Sequence, residues 1–397
     1  MRILHTSDWH IGRTFHGVDL LADQEQALEA IAAVVAEHSV DVVVVPGDVY
    51  DRSIPSGDAV LVCNKGFEAI RAAGAVIVAT SGNHDSAARL GAGAAFSGAG
   101  GLHLITRVDQ ISSPVELEDE HGTVAFYGIP YLEPEITRAQ LNVPTARSHA
   151  EILDVAMDRV RGDIAEHADG RRSVVLAHAF VVGGEATGSE RSISVGGVET
   201  VSASAFDGVD YVALGHLHSP QTLTDTVRYS GSPLPYSFGE RSHRKAVFLI
   251  DLDADGVSEV GRVDLPVVRD LTQLSGTLDE LVNGDEFAYA EDHYVSAVLT
   301  DPVRPIDAMR SLQARFPHAV HLEWQRPDGL ADLRYREKVH GRSDLEIARS
   351  FVADVRSEPS DGEVRLMEAA LRHADHEVDT QVEAASAVGA DVLDETA

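Results

Sequence analysis

The sequence of 397 residues holds a single cysteine, Cys63. No internal disulfide can form, which excludes a bridge-stapled scaffold and fits a reducing compartment. A metal site built from thiolates is excluded on the same ground. Cys63 itself is expected to pack on an apolar helix face. Positive charge is also short: 32 Lys and Arg stand against 64 Asp and Glu, a formal net charge of −32. Lysine is scarce, so arginine carries almost all of that positive charge. This balance argues against general binding to nucleic acid or to a membrane surface. It leaves room for a local basic groove or for acidic side chains neutralised by metal. No apolar run is long enough to span a bilayer, and no signal-peptide pattern precedes the first strand-like run. A soluble cytoplasmic protein is expected.

What is present is a set of five hydrophobic runs, each followed by metal-ligand chemistry. Asp8 and His10 follow Met1 to Thr6, and Asp48 follows Val40 to Pro46. Asn83 and His84 follow Ala75 to Thr80, His178 closes Ser173 to Ala177, and His216 and His218 follow Val209 to Leu214. Runs of this kind read as buried parallel strands. Sites in α/β folds gather beyond the carboxyl ends of such strands, where distant segments meet.

Between the runs, helical periodicity is expected over Asp19 to His38, Ser56 to Ala73 and His149 to His167, with Ser56 as an N-cap. The alternation means α/β. Val227 to Ser230, Lys245 to Leu252 and Val257 to Leu265 read as added antiparallel strands. The chain is too long for one ordinary core. We expect a first domain at 1–267 and a small α+β domain at 268–340. The latter should hold a helix at Leu274 to Val282, a strand at Tyr294 to Leu299, a helix at Ile306 to Phe316 and a strand at Val320 to Trp324. Two amphipathic helices, Asp344 to Val355 and Glu363 to His373, fill 341–374. The tail at 375–397 has no Lys or Arg and is expected to be disordered.

Asp8 and His10, two apart in an extended segment, point the same way, and His216 and His218 repeat the pattern. Gly47, Gly82 and Gly215 let the backbone approach closely where ligands converge. Carboxylate, amide and imidazole together suit manganese, iron or zinc. Seven candidates, Asp8, His10, Asp48, Asn83, His178, His216 and His218, exceed the needs of one ion. Two ions sharing a carboxylate would use them all, an arrangement suited to phosphoryl displacement. Each residue alone has an ordinary reading. Asp8 and Asp48 are turn or capping aspartates, Asn83 a left-handed turn residue and His178 a core histidine. Jointly these readings require several polar residues at strand ends by coincidence. Asp85 either orients His84 or caps the next helix.

Asp8-Trp9-His10, Gly47-Asp48-Val49-Tyr50-Asp51, Gly82-Asn83-His84-Asp85 and Gly215-His216-Leu217-His218 resemble the motifs of the calcineurin-like metallophosphoesterases, in that family's order. The likeness is strongest to its DNA-repair nuclease subunits. It extends through Ser189-Glu190-Arg191, Val195-Gly196-Gly197 and Tyr229-Ser230-Gly231-Ser232-Pro233. The resemblance implies a β-sandwich flanked by helices, with a small α+β capping domain that binds DNA and a C-terminal helix pair. It implies two divalent ions, manganese, one held by Asp8, His10, Asp48 and His218, the other by Asp48, Asn83, His178 and His216. In that family the residue matching His84 is catalytic and assists the departing oxygen. The implied partners are DNA, an SbcC-type ATPase docked on the helix pair, and a second copy of the chain. Candidate phosphate contacts are Arg13, Arg52, Arg89, Arg191, Arg241, His243, Arg244 and Lys245. Two alternatives stay open: another phosphodiesterase or phosphatase of the family, and a DNA-end-binding scaffold without catalysis.

Overall fold

The computed structural model describes residues 1–167, 170–187, 190, 200–325, 342–355 and 357–372. Ser189, Arg191, Val195-Gly196-Gly197 and the tail at 375–397 lie outside the described residues.

All five hydrophobic runs form strands, and they divide between two six-stranded sheets. In the first, Arg2–His5, Val42–Pro46, Val76–Thr80 and Leu102–Ile105 run parallel. The hairpin of Ala246–Asp253 and Gly256–Asp264 extends the sheet antiparallel to Arg2–His5. In the second, Val227–Tyr229, Tyr211–Gly215, Arg172–His178 and Gly122–Ile129 are parallel. Val115–Asp119 and Gln221–Thr222 close its edges antiparallel. Val227–Tyr229 is therefore parallel, not antiparallel as its short length suggested. The intervening Gln221–Thr222 absorbs the reversal.

Alternation along the strands explains the layering. Val42 and Val44 join Ile3, Val174, Leu176 and Ala213 in a core between the sheets. Val43 and Val45 face the other way, against Leu28, Ile31 and Val35 of helix Leu21–His38 and Ile70 of helix Gly57–Ala72. Val175 and Ala177 face Ile152, Ala156 and Val160 of helix His149–Glu166. Each valine so buried contributes roughly 1.5–3 kcal/mol. The result is a β-sandwich flanked by helices. Ser56 caps its helix as expected, its hydroxyl accepting the Ala59 N–H at 3.1 Å. Cys63 is buried on that helix, and burial pushes its thiol up to about 12.

The chain divides into two compact units, Met1–Thr272 and Gln273–Ala397. In the second, a three-stranded sheet of Leu271–Gly276, Tyr294–Leu299 and Ala319–Trp324 packs with helices Leu278–Asn283 and Ala308–Arg315 around Leu281, Leu312 and Phe316. The helix expected from Leu274 begins only at Leu278. Thr277 and Glu280 form a reciprocal capping box that fixes the start, and the residues before it are strand. Helices Asp344–Val355 and 361–372 follow. Among the described residues, no helix is long and apolar enough to cross a membrane.

Candidate metal centre

The strands end just before the ligand candidates, at His5, Pro46, Thr80 and Gly215. Beyond them the backbone leaves the extended region. Asp8, His10 and Asp48 have φ of 53°, 45° and 51°, and His216 has φ of 109°. Asp8 and His10 thus converge through left-handed turns rather than along one face of an extended segment. Such conformations are costly for residues with a Cβ and cluster at functional sites. The turns lie side by side: the Asp8 N–H donates to Gly47 O at 3.3 Å and the His10 N–H to Asp48 O at 2.9 Å. Glycine is required by contact at Gly47, Gly82 and Gly215: a Cβ on Gly47 would lie 2.6 Å from Nδ1 of His178 and 2.8 Å from the Gly82 backbone. A Cβ on Gly82 would lie 2.1 Å from Oδ1 of Asp48, and one on Gly215 would lie 2.0 Å from the Pro46 carbonyl.

These turns bring the candidates together from both sheets. Three groupings place their ligand atoms within 4.8 Å of one another: Asp8, His10 and His218; Asp8, Asp48 and His178; His10, Asp48 and His84. Asn83 joins through its Oδ1, 2.9 Å from Nε2 of His178. His216 stands at the margin, its ring edge-on to that of His178 with centroids 5.3 Å apart. Its N–H donates to Oδ1 of Asp8 at 2.9 Å.

The electrostatics call for cations. Burial, and then the Asp48 charge, push the Asp8 carboxyl well above its usual range. Two carboxylates shut from water repel each other unless positive charge is supplied. The imidazoles of His10, His178 and His216 do not supply it. Burial holds His10 and His216 well below their usual range and takes His178 down to about 3. Their neutral rings offer lone pairs instead. Nδ1 of His178 meets the Pro46 carbonyl at 3.0 Å. A carbonyl only accepts, so Nδ1 carries the proton and Nε2 presents its lone pair. That lone pair faces Oδ1 of Asn83 and, at 3.4 Å, Oδ2 of Asp48. Nε2 of His10 and Nε2 of His218 likewise face each other at 3.1 Å. Nδ1 of His10 and Nδ2 of Asn83 are buried without a hydrogen-bond partner. The carboxylates of Asp8 and Asp48, Oδ1 of Asn83 and the imidazole lone pairs are converging acceptors of the kind that fits divalent ions.

His84 sits at the rim of the group. Its N–H donates to Oδ1 of Asp48 at 2.9 Å, and its Nδ1 meets the Asp51 carbonyl at 2.8 Å. Nδ1 is therefore the donor, which leaves Nε2 for other chemistry. Asp85 neither caps the following helix nor spends its carboxylate on His84. Ser86 is the cap, and Asp85 accepts the amides of Gly82, Val49 and Tyr50, which ties two ligand loops together.

Other supports were not read from the sequence. Gln24 donates to the His10 carbonyl at 2.7 Å, and the Tyr236 hydroxyl donates to that of Trp9 at 2.5 Å. The Asp51 carboxylate lies 3.6 Å from His10 Nδ1, 3.8 Å from His84 Nδ1 and 3.7 Å from Arg13. Only Asp51 had a signal, its place in the Gly47 to Asp51 motif. Among the basic residues, Arg52, Arg89, Arg241 and Arg244 are exposed, while Arg13 and His243 are half-buried. Lys245 is buried and is no surface phosphate contact.

The model of the calcineurin-like phosphoesterase family matches residues 1–220, more than half of the chain. The chain belongs to the calcineurin-like phosphoesterases. A second family model, the type 5 capsule protein repressor C-terminal domain (SbcD_C), matches residues 267–356 of this phosphoesterase. The two matches together support an SbcD-type nuclease subunit. Among solved structures, the phosphoesterase is similar to TT1561 of Thermus thermophilus. The identity is 14% and the TM-score 0.40, over 67% of this chain and 99% of that one. It is also similar to GAP50, the anchor in the inner membrane complex of Plasmodium. There the identity is 12% and the TM-score 0.37, over 81% of this chain and 96% of that one.

Proposed function

We propose that this phosphoesterase is a cytoplasmic, manganese-dependent DNA nuclease. In this reading it is an exonuclease on double-stranded ends and an endonuclease on single strands or hairpins. It acts in repair and recombination with an SbcC-type ATPase, as a homodimer within a heterotetramer. The observation that carries the reading is a buried cluster of carboxylates and imidazoles, Asp8, His10, Asp48, His178 and His218 among them, in one chain with the domain matched at 267–356. A minimal phosphodiesterase has no need of that second domain.

In this reading Asp48 would help hold both ions, Asp8, His10 and His218 would hold one with it, and Asn83, His178 and His216 would hold the other. Bound ions would supply positive charge to the phosphodiester oxygens and lower the pKa of water at the site. The protein's own part is positioning and proton transfer. His84 keeps its Nδ1–H on the Asp51 carbonyl, so in this reading the doubly protonated ring gives its Nε2 proton to the departing sugar oxygen and is left neutral with Nδ1–H in place. Arg13, Arg52, Arg89, Arg241, His243 and Arg244 remain the candidate phosphate contacts. The domain at 268–340 serves as the DNA-binding capping domain. The helices within 341–374 dock the ATPase, with Leu345, Ile347, Phe351 and Leu366 as apolar anchors.

Purified protein with Mn²⁺ should cleave double-stranded DNA in the presence of the ATPase, and faster than it hydrolyses a chromogenic small diester. Preference for the small diester would identify a different phosphodiesterase. Tight DNA binding without cleavage under any metal would identify a scaffold.

A further inference from the structure

A buried ion pair stands directly behind His218. Lys245 Nζ and the Glu240 carboxylate are joined by a short hydrogen bond, and both residues are sealed from water. Nζ also donates to the His218 carbonyl at 2.8 Å and to the Ser232 hydroxyl at 3.0 Å. Oε1 of Glu240 accepts the Tyr236 N–H at 3.1 Å and the Ser237 hydroxyl at 3.2 Å, and lies 3.9 Å from Nδ1 of His218. On a third side, Oε1 of Glu190 accepts the His218 N–H at 3.2 Å. A charged group therefore faces the amide, the carbonyl and the rear of the ring, while Nε2 points into the centre.

His178, at the other ion position, is held differently. Its Nδ1 hydrogen-bonds a neutral carbonyl, that of Pro46, at 3.0 Å, and the nearest carboxylate oxygen, Oδ1 of Asp8 at 4.0 Å, belongs to a ligand candidate rather than to a supporting ion pair. A carboxylate behind an imidazole fixes the ring orientation and raises its basicity as a ligand more than a carbonyl does. Burying two charges is also costly, and apolar residues of the same shape often serve a core as well. The pair is placed where orientation matters, not merely where the core needs filling.

We propose that Glu240 and Lys245 form a positioning pair for His218, which makes the ion position served by His218 the tighter of the two. The proposal rests on the two-ion reading above. The test is titration of the full, chelator-stripped chain with Mn²⁺ by calorimetry and by electron paramagnetic resonance. The unmodified chain should show two classes of site. The double variant Glu240→Gln/Lys245→Met leaves no lone charge in the core. It should weaken the tighter class about 10- to 100-fold and leave the weaker class unchanged. Glu240→Gln alone should move the same class in the same direction. Should those variants fail to fold, Glu240→Asp retains the charge but withdraws the carboxylate, and it too should weaken only the tighter class. Two unchanged classes with a lowered unfolding temperature would overturn the proposal and leave the pair a fold element. Equal weakening of both classes would overturn it as well. An unmodified chain that binds no Mn²⁺ would instead overturn the metal-centre reading on which the proposal stands.

Discussion

His84 lies close enough to His10 and Asp48 to share a possible ligand grouping with them. Its Nδ1 is already committed to a carbonyl, and proton delivery to a leaving group is worth about 10²–10⁴ in rate. His84→Ala should therefore lose roughly that factor in cleavage while binding both ions. Metal analysis of the variant decides the matter, since loss of one equivalent would make His84 a ligand. A second histidine should contribute to acid sensitivity. His5 is wholly buried between the sheets, with Nε2 3.1 Å from the Leu214 carbonyl and Nδ1 3.0 Å from the Tyr211 hydroxyl. Burial takes its imidazole from the ordinary 6.5 to about 3. The unfolded chain gains a proton there below about pH 6.5 and the folded chain does not until about pH 3. This contribution is whole above pH 6.5 and is lost at about 1.4 kcal/mol per pH unit as the pH falls through that window. In chelator, the urea midpoint of His5→Gln should fall less steeply from pH 7 to pH 4 than that of the unmodified chain. Equal slopes would assign the acid sensitivity elsewhere. Asp8 or His218 was legible because a polar residue interrupts the end of a hydrophobic run. His5 was not, because its partners Tyr211 and Leu214 lie some 200 residues away, and Glu240 and Lys245 were not, because nothing local marks the His218 that they stand behind more than 20 residues later in the chain.

At the scale of the element, local chemistry was legible where pattern and cap agreed. Ser56 and the periodicity after it placed helix Gly57–Ala72 to within a residue at each end. The small unit shows the opposite case. Leu274, Leu278 and Leu281 have helical spacing, which hid the boundary that Thr277 and Glu280 impose. Thr277→Ala removes the N-cap and should cost about 1 kcal/mol. A drop in the thermal transition of this unit would show it. No change would mean that packing of Leu281 and Leu312 alone holds the helix start. The sense of Val227–Tyr229 was illegible for another reason: strand direction is decided by the connection, not by the strand's own residues.

For the whole molecule, the ligand candidates all precede Ser219, so the proposed chemistry and the proposed assembly should be separable. Deletion from Gly341 onward should leave metal-dependent cleavage of single strands intact and abolish co-purification with the SbcC-type ATPase. Undiminished complex formation would move the docking surface to the domain at 268–340. The division of the five strands between two sheets carries one more consequence. Asp8, His10, Asp48 and Asn83 hang from one sheet, and His178, His216 and His218 from the other. An ion held among them is a clasp across the open end of the sandwich. Folding and metal supply then share one equilibrium: ions at 100 times their dissociation constant would add about 2.7 kcal/mol. A cell starved of the metal would hold not an idle enzyme but a looser one, with a raised unfolding temperature on metal addition as its signature.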